Sequence, residues 1–333
     1  MIDEHLLLAH GNGGRLMREL IDEVFGAPDS ANSRPMPAAM PCTAGRDRRV
    51  DGFHRRLHRA AARVPGRRSR HAGRPRHDQR PGRRRRQGAL ADPGAILEEG
   101  LEVALLRRLV AGFAASAGAA GARIVAGDTK LVPRGNGGGA YFSVTGIGEC
   151  LRAGIAIDAV EPGDAVLVSG PIGDHGIAVM LAREDFDLQS TARSDCASVL
   201  GLCEALWPLP GLRFTRDPTR GGLATVAHEI VQARGVGVRL QECRVPVREA
   251  TRSVCEMLGY DPMYLACEGR VVAVVAADQA NEALRRWRAT EAGRDAEIIG
   301  AINDGPARVV LETAIGGERV IDELEDDPLP RIC

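Results

Sequence analysis

Lysine is nearly missing from this 333-residue sequence: it occurs once, at Lys130, while arginine occurs 43 times. Chemistry that needs an ammonium group therefore falls to Lys130 or to the N-terminal amine, because a guanidinium keeps its proton near neutral pH. No C-x-x-C pair occurs among the eight cysteines, at positions 42, 150, 196, 203, 243, 255, 267 and 333. That argues against a zinc knuckle or a disulfide framework and makes reduced thiols the expectation. No run approaches the eighteen apolar residues that a membrane span needs. The opening MIDEHLLLAHGNGG is acidic and turns to glycine, unlike a secretory signal. A cytoplasmic protein without a membrane anchor is expected.

A formal charge of zero hides an uneven distribution. Residues 31–93 hold eighteen arginines against four acids, Asp47, Asp51, Asp78 and Asp92, and the remainder of the chain is correspondingly acidic. Such a basic stretch could be an arm for RNA or DNA, with strongly salt-dependent phosphate affinity. Aromatic residues make up only 3% of the sequence, and Phe53 alone falls in this stretch. The stacking platforms of single-strand binders are therefore absent, and nucleic acid is the weaker reading.

With 44% hydrophobic residues, the chain is long enough for two cores. Leu16, Leu20, Ile21, Val24 and Phe25 recur at helical spacing after a glycine loop. A second helix is expected from Val103 to about Ala120, with strands at Ala122–Val125 and Ala140–Thr145. AIDAVEPGDAVLVSG then leads from a polar turn into a buried strand at Ala165–Ser169, where a second domain starts. The expected organisation is an N-terminal loop and helix (1–30), an N-terminal domain (31–150), a C-terminal α/β domain (151–320) and a flexible tail (321–333). DELEDDPLPRIC, acidic and broken by proline, is expected to be extended and mobile.

Several turns carry groups suited to chemistry. Glycines in His10-Gly11-Asn12-Gly13-Gly14 would let backbone N–H groups approach a phosphate at a helix start, although a simple turn explains such a loop equally well. Gly127-Asp128-Thr129-Lys130 places an acid and the single lysine at a strand end, with Asp128 able to hold Mg²⁺ and Lys130 able to meet a phosphate or move a proton. A solvated turn is the bland alternative. Asp174 and His175 in SGPIGDHG, and Asp217 and Arg220 in DPTRGG, sit on two further glycine turns, where turn geometry alone accounts for the glycines. Glu268 in CEGR is either a base in a partly dry site or an exposed turn residue. Cys333 ends the sequence after Pro328 and Pro330, and a thiol on such a tail can swing and carry an acyl group.

Taken together, LAHGNGGRLMREL, ILEEG, RIVAGDTKLVPRG, LVSGPIGDHG, DPTRGGLATVAHE, LACEGR and PLPRIC resemble, in order and spacing, the HypE family of hydrogenase maturation proteins. The likeness spans residues 5–30 and 94–333. It implies an α+β, two-domain fold of the aminoimidazole ribonucleotide synthetase type with a mobile C-terminal tail, commonly a homodimer. It also implies the reaction. The partner HypF places a carbamoyl group on the terminal cysteine, here Cys333; ATP activates the carbamoyl oxygen; loss of phosphate leaves a thiocyanate. The cyanide then passes to iron held by HypC and HypD for the [NiFe]-hydrogenase. By the same resemblance Lys130 and Glu268 move the carbamoyl protons, Asp128 meets Mg²⁺, and His10 to Gly14 with Gly127 and Thr129 meet ATP. Asp174, His175, Asp217 and Arg220 are weaker site candidates. A synthetase of the same fold acting on a free small amide is the alternative, which the PLPRIC ending disfavours.

The family's T-D-x-[FY]-x-V strand, its FPGGDIG and its G-T-x-N-D-L-A-x-x-G-A are absent, and VPGRRSRHAGRPRHDQRPGRRRR stands in that region. Reading the last two bases of each codon with the first base of the next allows residues 76–86 to become G-T-I-N-D-L-A-V-A-G-A. Residues 63–67 likewise allow E-F-P-G-G. A frameshift compensated near Pro93 explains this better than an arginine-rich module. As it stands, residues 31–93 are expected to be loop-like, since so few apolar groups cannot offset the ordering of the backbone. Mg-ATP use should suffer with the lost carboxylates. Resequencing codons 28–95 is expected to restore the family motifs; an unchanged reading would contradict the frame explanation.

Overall fold

The computed structural model describes residues 4–12, 14–26, 50–57, 90–150, 152–183 and 190–324. The chain forms two compact units that meet in sequence between residues 151 and 152. Among the described residues, no helix is long and apolar enough to cross a membrane.

The first unit is a mixed sheet covered by helices. Its strands are β1 (Val50–Leu57), β2 (Leu90–Glu98), β3 (Arg123–Ile124), β4 (Asp128–Val132) and β5 (Ala140–Glu149). They lie in the order β1-β5-β2-β3, with β4 also paired to β2. Helix α1 (Arg15–Leu20) runs into a wider turn at Ile21–Phe25, as the apolar spacing predicts. Helix α2 (Val103–Ala119) is rich in alanine, leucine and arginine, all good helix formers. It stops before Gly121, whose φ of 71° suits the left-handed residue that commonly closes a helix. Ala95, Leu97 and Ala140 on one sheet face pack with Leu6, Leu20, Val24, Val103 and Leu106 from the covering segments. Each fully buried leucine contributes about 1.5–3 kcal/mol relative to exposure.

The expectation of loop throughout residues 31–93 requires correction at 90–93, which open β2, and at Val50–Leu57. This segment is strand β1, paired antiparallel to β5 along its whole length, from Val50 opposite Glu149 to Leu57 opposite Phe142. Its place at the end of the strand order gives the physical reason: an edge strand needs a partner on one side only and tolerates charged residues. The stretch 64–86, on which the burial argument rested, lies outside the described residues.

The second unit has a seven-stranded sheet. Its strands are β6 (Ala165–Val168), β7 (Leu212–Arg216), β8 (Gly237–Gln241), β9 (Val272–Val275), β10 (Glu297–Asn303), β11 (Val309–Glu312) and β12 (Glu318–Ile321). The order is β12-β11-β8-β10-β6-β9-β7. Helices α3 (Asp174–Arg183), α4 (Leu200–Leu206), α5 (Gly222–Arg234), α6 (Glu249–Leu258) and α7 (Ala280–Arg288) complete it. β6 and β9 are apolar at every position because both their faces are covered. Val166, Val168, Val272 and Val274 join the core that includes α5. Ala165, Leu167, Ala273 and Val275 join the core beneath α4 and α7. Trp287 fills the latter and donates its indole N–H to the Leu202 carbonyl at 3.0 Å.

Gly222 opens α5 with φ 60°, and a Cβ there would stand 2.6 Å from the Met263 carbonyl oxygen and 2.7 Å from that of Leu265. Both the conformation and the space exclude a side chain. Gly222→Ala is expected to destabilise the protein by roughly 2–4 kcal/mol in denaturant unfolding, as strain at a special backbone position does. A change below about 0.5 kcal/mol, the size of an ordinary surface substitution, would contradict this packing.

Candidate functional site

In the first unit, the glycine loop and the GDTK segment come together. Residues Leu8–Gly11 form a single 3₁₀ turn that lies against β4. A Cβ on Gly11 would sit 2.9 Å from Cβ of Leu131, so only glycine lets the loop approach the strand this closely. His10 is buried, at 1% exposure, and its Nδ1 accepts the Leu7 backbone N–H at 3.0 Å. The ring thus fixes the loop from within. Asn12 and Gly14 are exposed, and Gly13 lies outside the described residues.

Asp128, Thr129 and Lys130 open β4 instead of forming the turn before it. They pair in parallel with Gly94, Ala95 and Ile96 of β2. Strand alternation puts Asp128 and Lys130 on the exposed sheet face and Thr129 on the other. Glu98 of ILEEG holds the next loop: its carboxylate accepts the backbone N–H groups of Gly135 and, at 2.5 Å, Gly139. Gly137 must lack a side chain because a Cβ would press on Val132 and Glu98. Two loops are thereby fixed at β4.

The remaining candidates gather in the second unit at one end of its sheet. The loop after β6, the segment before β9 and the turn after β7 are tied to one another by backbone bonds. Gly176 N–H donates to the Ala266 carbonyl and Cys267 N–H to the Pro218 carbonyl, each at 3.0 Å. Gly173 N–H donates to Sγ of Cys267 at 3.3 Å. Burial pushes the Cys267 thiol far up, with the Asp195 charge adding to it, so this cysteine stays protonated and acts as a packing residue beside Glu268.

Asp174 is also buried. It accepts the Thr251 hydroxyl at 2.6 Å and is paired with Arg248, tying α3 to α6. Burial raises its pKa, opposed by those two partners. His175 bonds through Nδ1 to the Ser194 hydroxyl at 2.8 Å. Asp217 accepts the Thr219 hydroxyl at 2.6 Å within its own turn, and Arg220 is exposed. Glu268 is half-buried, between the two sequence expectations for it. Cys333 lies outside the described residues.

Sequence reading missed Glu98, Asp195, Arg248 and Arg270 as supports of these loops. Glu98 and Arg270 lie inside quoted motifs and were legible as charged residues at strand ends. Asp195, in TARSDCAS, belongs to no periodic element and carries no sequence signal. Among the described residues, no group of three or more His, Cys, Asp or Glu side chains is placed to hold a metal. Asp128 offers a single exposed carboxylate, which suits an ion arriving with nucleotide phosphates and not a resident one.

The chain is similar to known proteins along its length. Residues 161–312 match the model of the AIR synthase related protein, C-terminal domain. The carbamoyl dehydratase HypE of Rhodobacter capsulatus is 40% identical over 342 residues, covering 99% of each chain. That of Cupriavidus necator is 46% identical over 242 residues, covering 72% of this chain and 69% of the relative. A crystal structure of HypE in complex with ATP superposes with a TM-score of 0.80 at 33% identity, covering 98% of this chain and 100% of the other. A HypE–HypF complex structure gives 0.68 at 42% identity, over 71% of this chain and 79% of the other. An aligned relative along the whole length, solved structures of the same fold and the matching C-terminal domain together establish that the chain belongs to the HypE family of carbamoyl dehydratases.

Proposed function

We propose that this carbamoyl dehydratase uses ATP to convert a carbamoyl group on Cys333 into a thiocyanate that supplies cyanide for a [NiFe]-hydrogenase. The observation that supports the reading is the close approach of the Gly11 loop to Leu131 of β4, the strand that also carries Asp128 and Lys130. Similarity to a HypE structure solved with ATP supports the same nucleotide.

The chemistry follows from leaving groups. An amide oxygen leaves poorly, whereas the same oxygen carrying the γ-phosphoryl group of ATP leaves as phosphate, and C≡N forms as the carbamoyl nitrogen loses its protons. Lys130 and Glu268 are the residues suited to moving those protons. Arginine is unsuited to that work, which accounts for the single lysine at this position. His10 holds the shape of the phosphate loop from beneath, while Gly11 to Gly14, Gly127 and Thr129 supply close approach. Asp128 is the carboxylate that would meet Mg²⁺ arriving with the nucleotide, and the ion would supply charge neutralisation on the transferring phosphoryl.

HypF is the carbamoyl donor, a reading supported by similarity to a HypE–HypF complex. A HypC–HypD complex is the cyanide acceptor, and the reaction runs in the cytoplasm. A homodimer forms through the first unit's sheet, whose outer face exposes Ile96 and Ile147 at 45% and 44%. Apolar side chains on a sheet face are commonly covered by a partner surface.

In protein whose residues 31–93 are restored to the shifted frame, incubation with HypF, carbamoyl phosphate and ATP is expected to add a carbamoyl group to the Cys333 peptide and then remove the mass of water. Lys130→Arg is expected to keep the first mass change and to slow the second by at least tenfold, a typical share for a proton-transfer group. An adduct on another cysteine, or normal thiocyanate formation by Lys130→Arg, would contradict the assignment.

A further inference from the structure

Asp195 stands against the backbone of Glu268. Its Oδ1 accepts the Glu268 N–H at 3.1 Å. Gly269 follows, and a Cβ on it would lie 2.0 Å from the Asp195 carbonyl oxygen. The segment carrying Asp195 therefore crosses directly over the residue after Glu268, with no room for a side chain between them. Arg270 comes next, its Nε 3.4 Å from Asp195 Oδ2. The same Nε donates to the Pro171 carbonyl at 3.0 Å, and the guanidinium also donates to the Ala292 carbonyl at 3.2 Å.

Both charges are withdrawn from water, with side-chain exposures of 0% for Asp195 and 9% for Arg270. Oδ2 of Asp195 has no hydrogen-bond partner among the described residues. A carboxylate buried this deeply with one oxygen unsatisfied is costly, and packing alone does not call for it. The crossing segment is itself held: His175 bonds to the Ser194 hydroxyl at 2.8 Å, and that hydroxyl accepts the Cys196 N–H at 3.1 Å.

We infer that Asp195 is the positioning residue for Glu268: held by Arg270 and by the His175–Ser194 bond, it fixes the Glu268 main chain against the segment that carries Cys196 at the sheet end. The inference rests on the proposed role of Glu268 only for its catalytic meaning. The geometry holds whatever Glu268 does.

Cys196 offers a local reporter. Its residue is exposed, and its thiol is pushed up, first by loss of solvent around the sulfur and then by the charges of Glu268 and Asp195. Arg270 is the nearby cation paired with Asp195. Removing the Glu268 charge therefore lowers the pH at which Cys196 becomes a thiolate, but only while Glu268 is held next to it.

The experiment alkylates the full chain with iodoacetamide across a pH series and quantifies the Cys196 peptide by mass spectrometry. Glu268→Gln is expected to shift the Cys196 midpoint downward by roughly half a pH unit. The same substitution in an Asp195→Ala background is expected to give less than half that shift. Asp195→Asn keeps an oxygen acceptor for the Glu268 N–H and is expected to retain most of it, which separates positioning from loss of charge.

Thermal melts establish that each variant is folded, and Asp195→Asn, the near-isosteric change, serves where Asp195→Ala does not fold. With Asp195→Asn alone, the proposal requires the Glu268→Gln shift to persist while the midpoint of the parent falls through loss of the Asp195 charge. An equal Glu268→Gln shift with alanine at position 195, or no shift with Asp195 intact, overturns the proposal. Because alkylation needs neither ATP nor HypF, a Glu268→Gln protein that still forms thiocyanate would refute the catalytic reading alone.

Discussion

Arg270 reaches into the interior of the second unit with almost no water around it, and its Nε faces both the Pro171 carbonyl and the Asp195 carboxylate. Three loops meet at that point. Gly170 makes room for the guanidinium, since a Cβ there would stand 2.8 Å from one of its nitrogens. Val271 N–H is accepted by the Ser169 hydroxyl at 2.9 Å, so the entry to β9 and the exit from β6 are stitched side by side. Breaking a buried pair of this kind leaves an uncompensated charge in a dry interior, at a cost of about 3–5 kcal/mol. The arrangement is costly to build and sharply defined once built.

The first unit fixes its loops with single side chains that accept backbone N–H groups. The two loops at β4 are short turns, and each is fixed by a group buried or clasped beneath it: His10 under the first loop, Glu98 under the second. β4 then needs only alternation to turn Asp128 and Lys130 outward together. The strand at Val50–Leu57 pairs with β5 along its whole length, as an edge position needs a partner on one side only.

Much of this was legible beforehand, for physical reasons that differ by element. Helix α2 and strands β6 and β9 follow from period and from uninterrupted apolar runs. The glycine turns could be located, and Gly11 and Gly222 turn out to be forced by close approach. The GDTK segment was placed at a strand end, and Asp128–Lys130 open β4 with Gly127 before it, as β-pairing with Gly94–Ile96 overrides a turn-like composition. Asp195 was invisible, for its meaning lies in contacts with Glu268 and Arg270, more than seventy positions away. Long-range polar support leaves no periodic trace in a sequence.

The account turns on whether ATP activates the carbamoyl oxygen itself. Carbamoyl phosphate labelled with ¹⁸O in its carbonyl group, used with HypF to load Cys333 of the frame-restored protein, follows that oxygen directly. Transfer of the γ-phosphoryl group to it predicts ¹⁸O in the inorganic phosphate released as thiocyanate forms. Unlabelled phosphate, with the ¹⁸O recovered in water, would contradict the account.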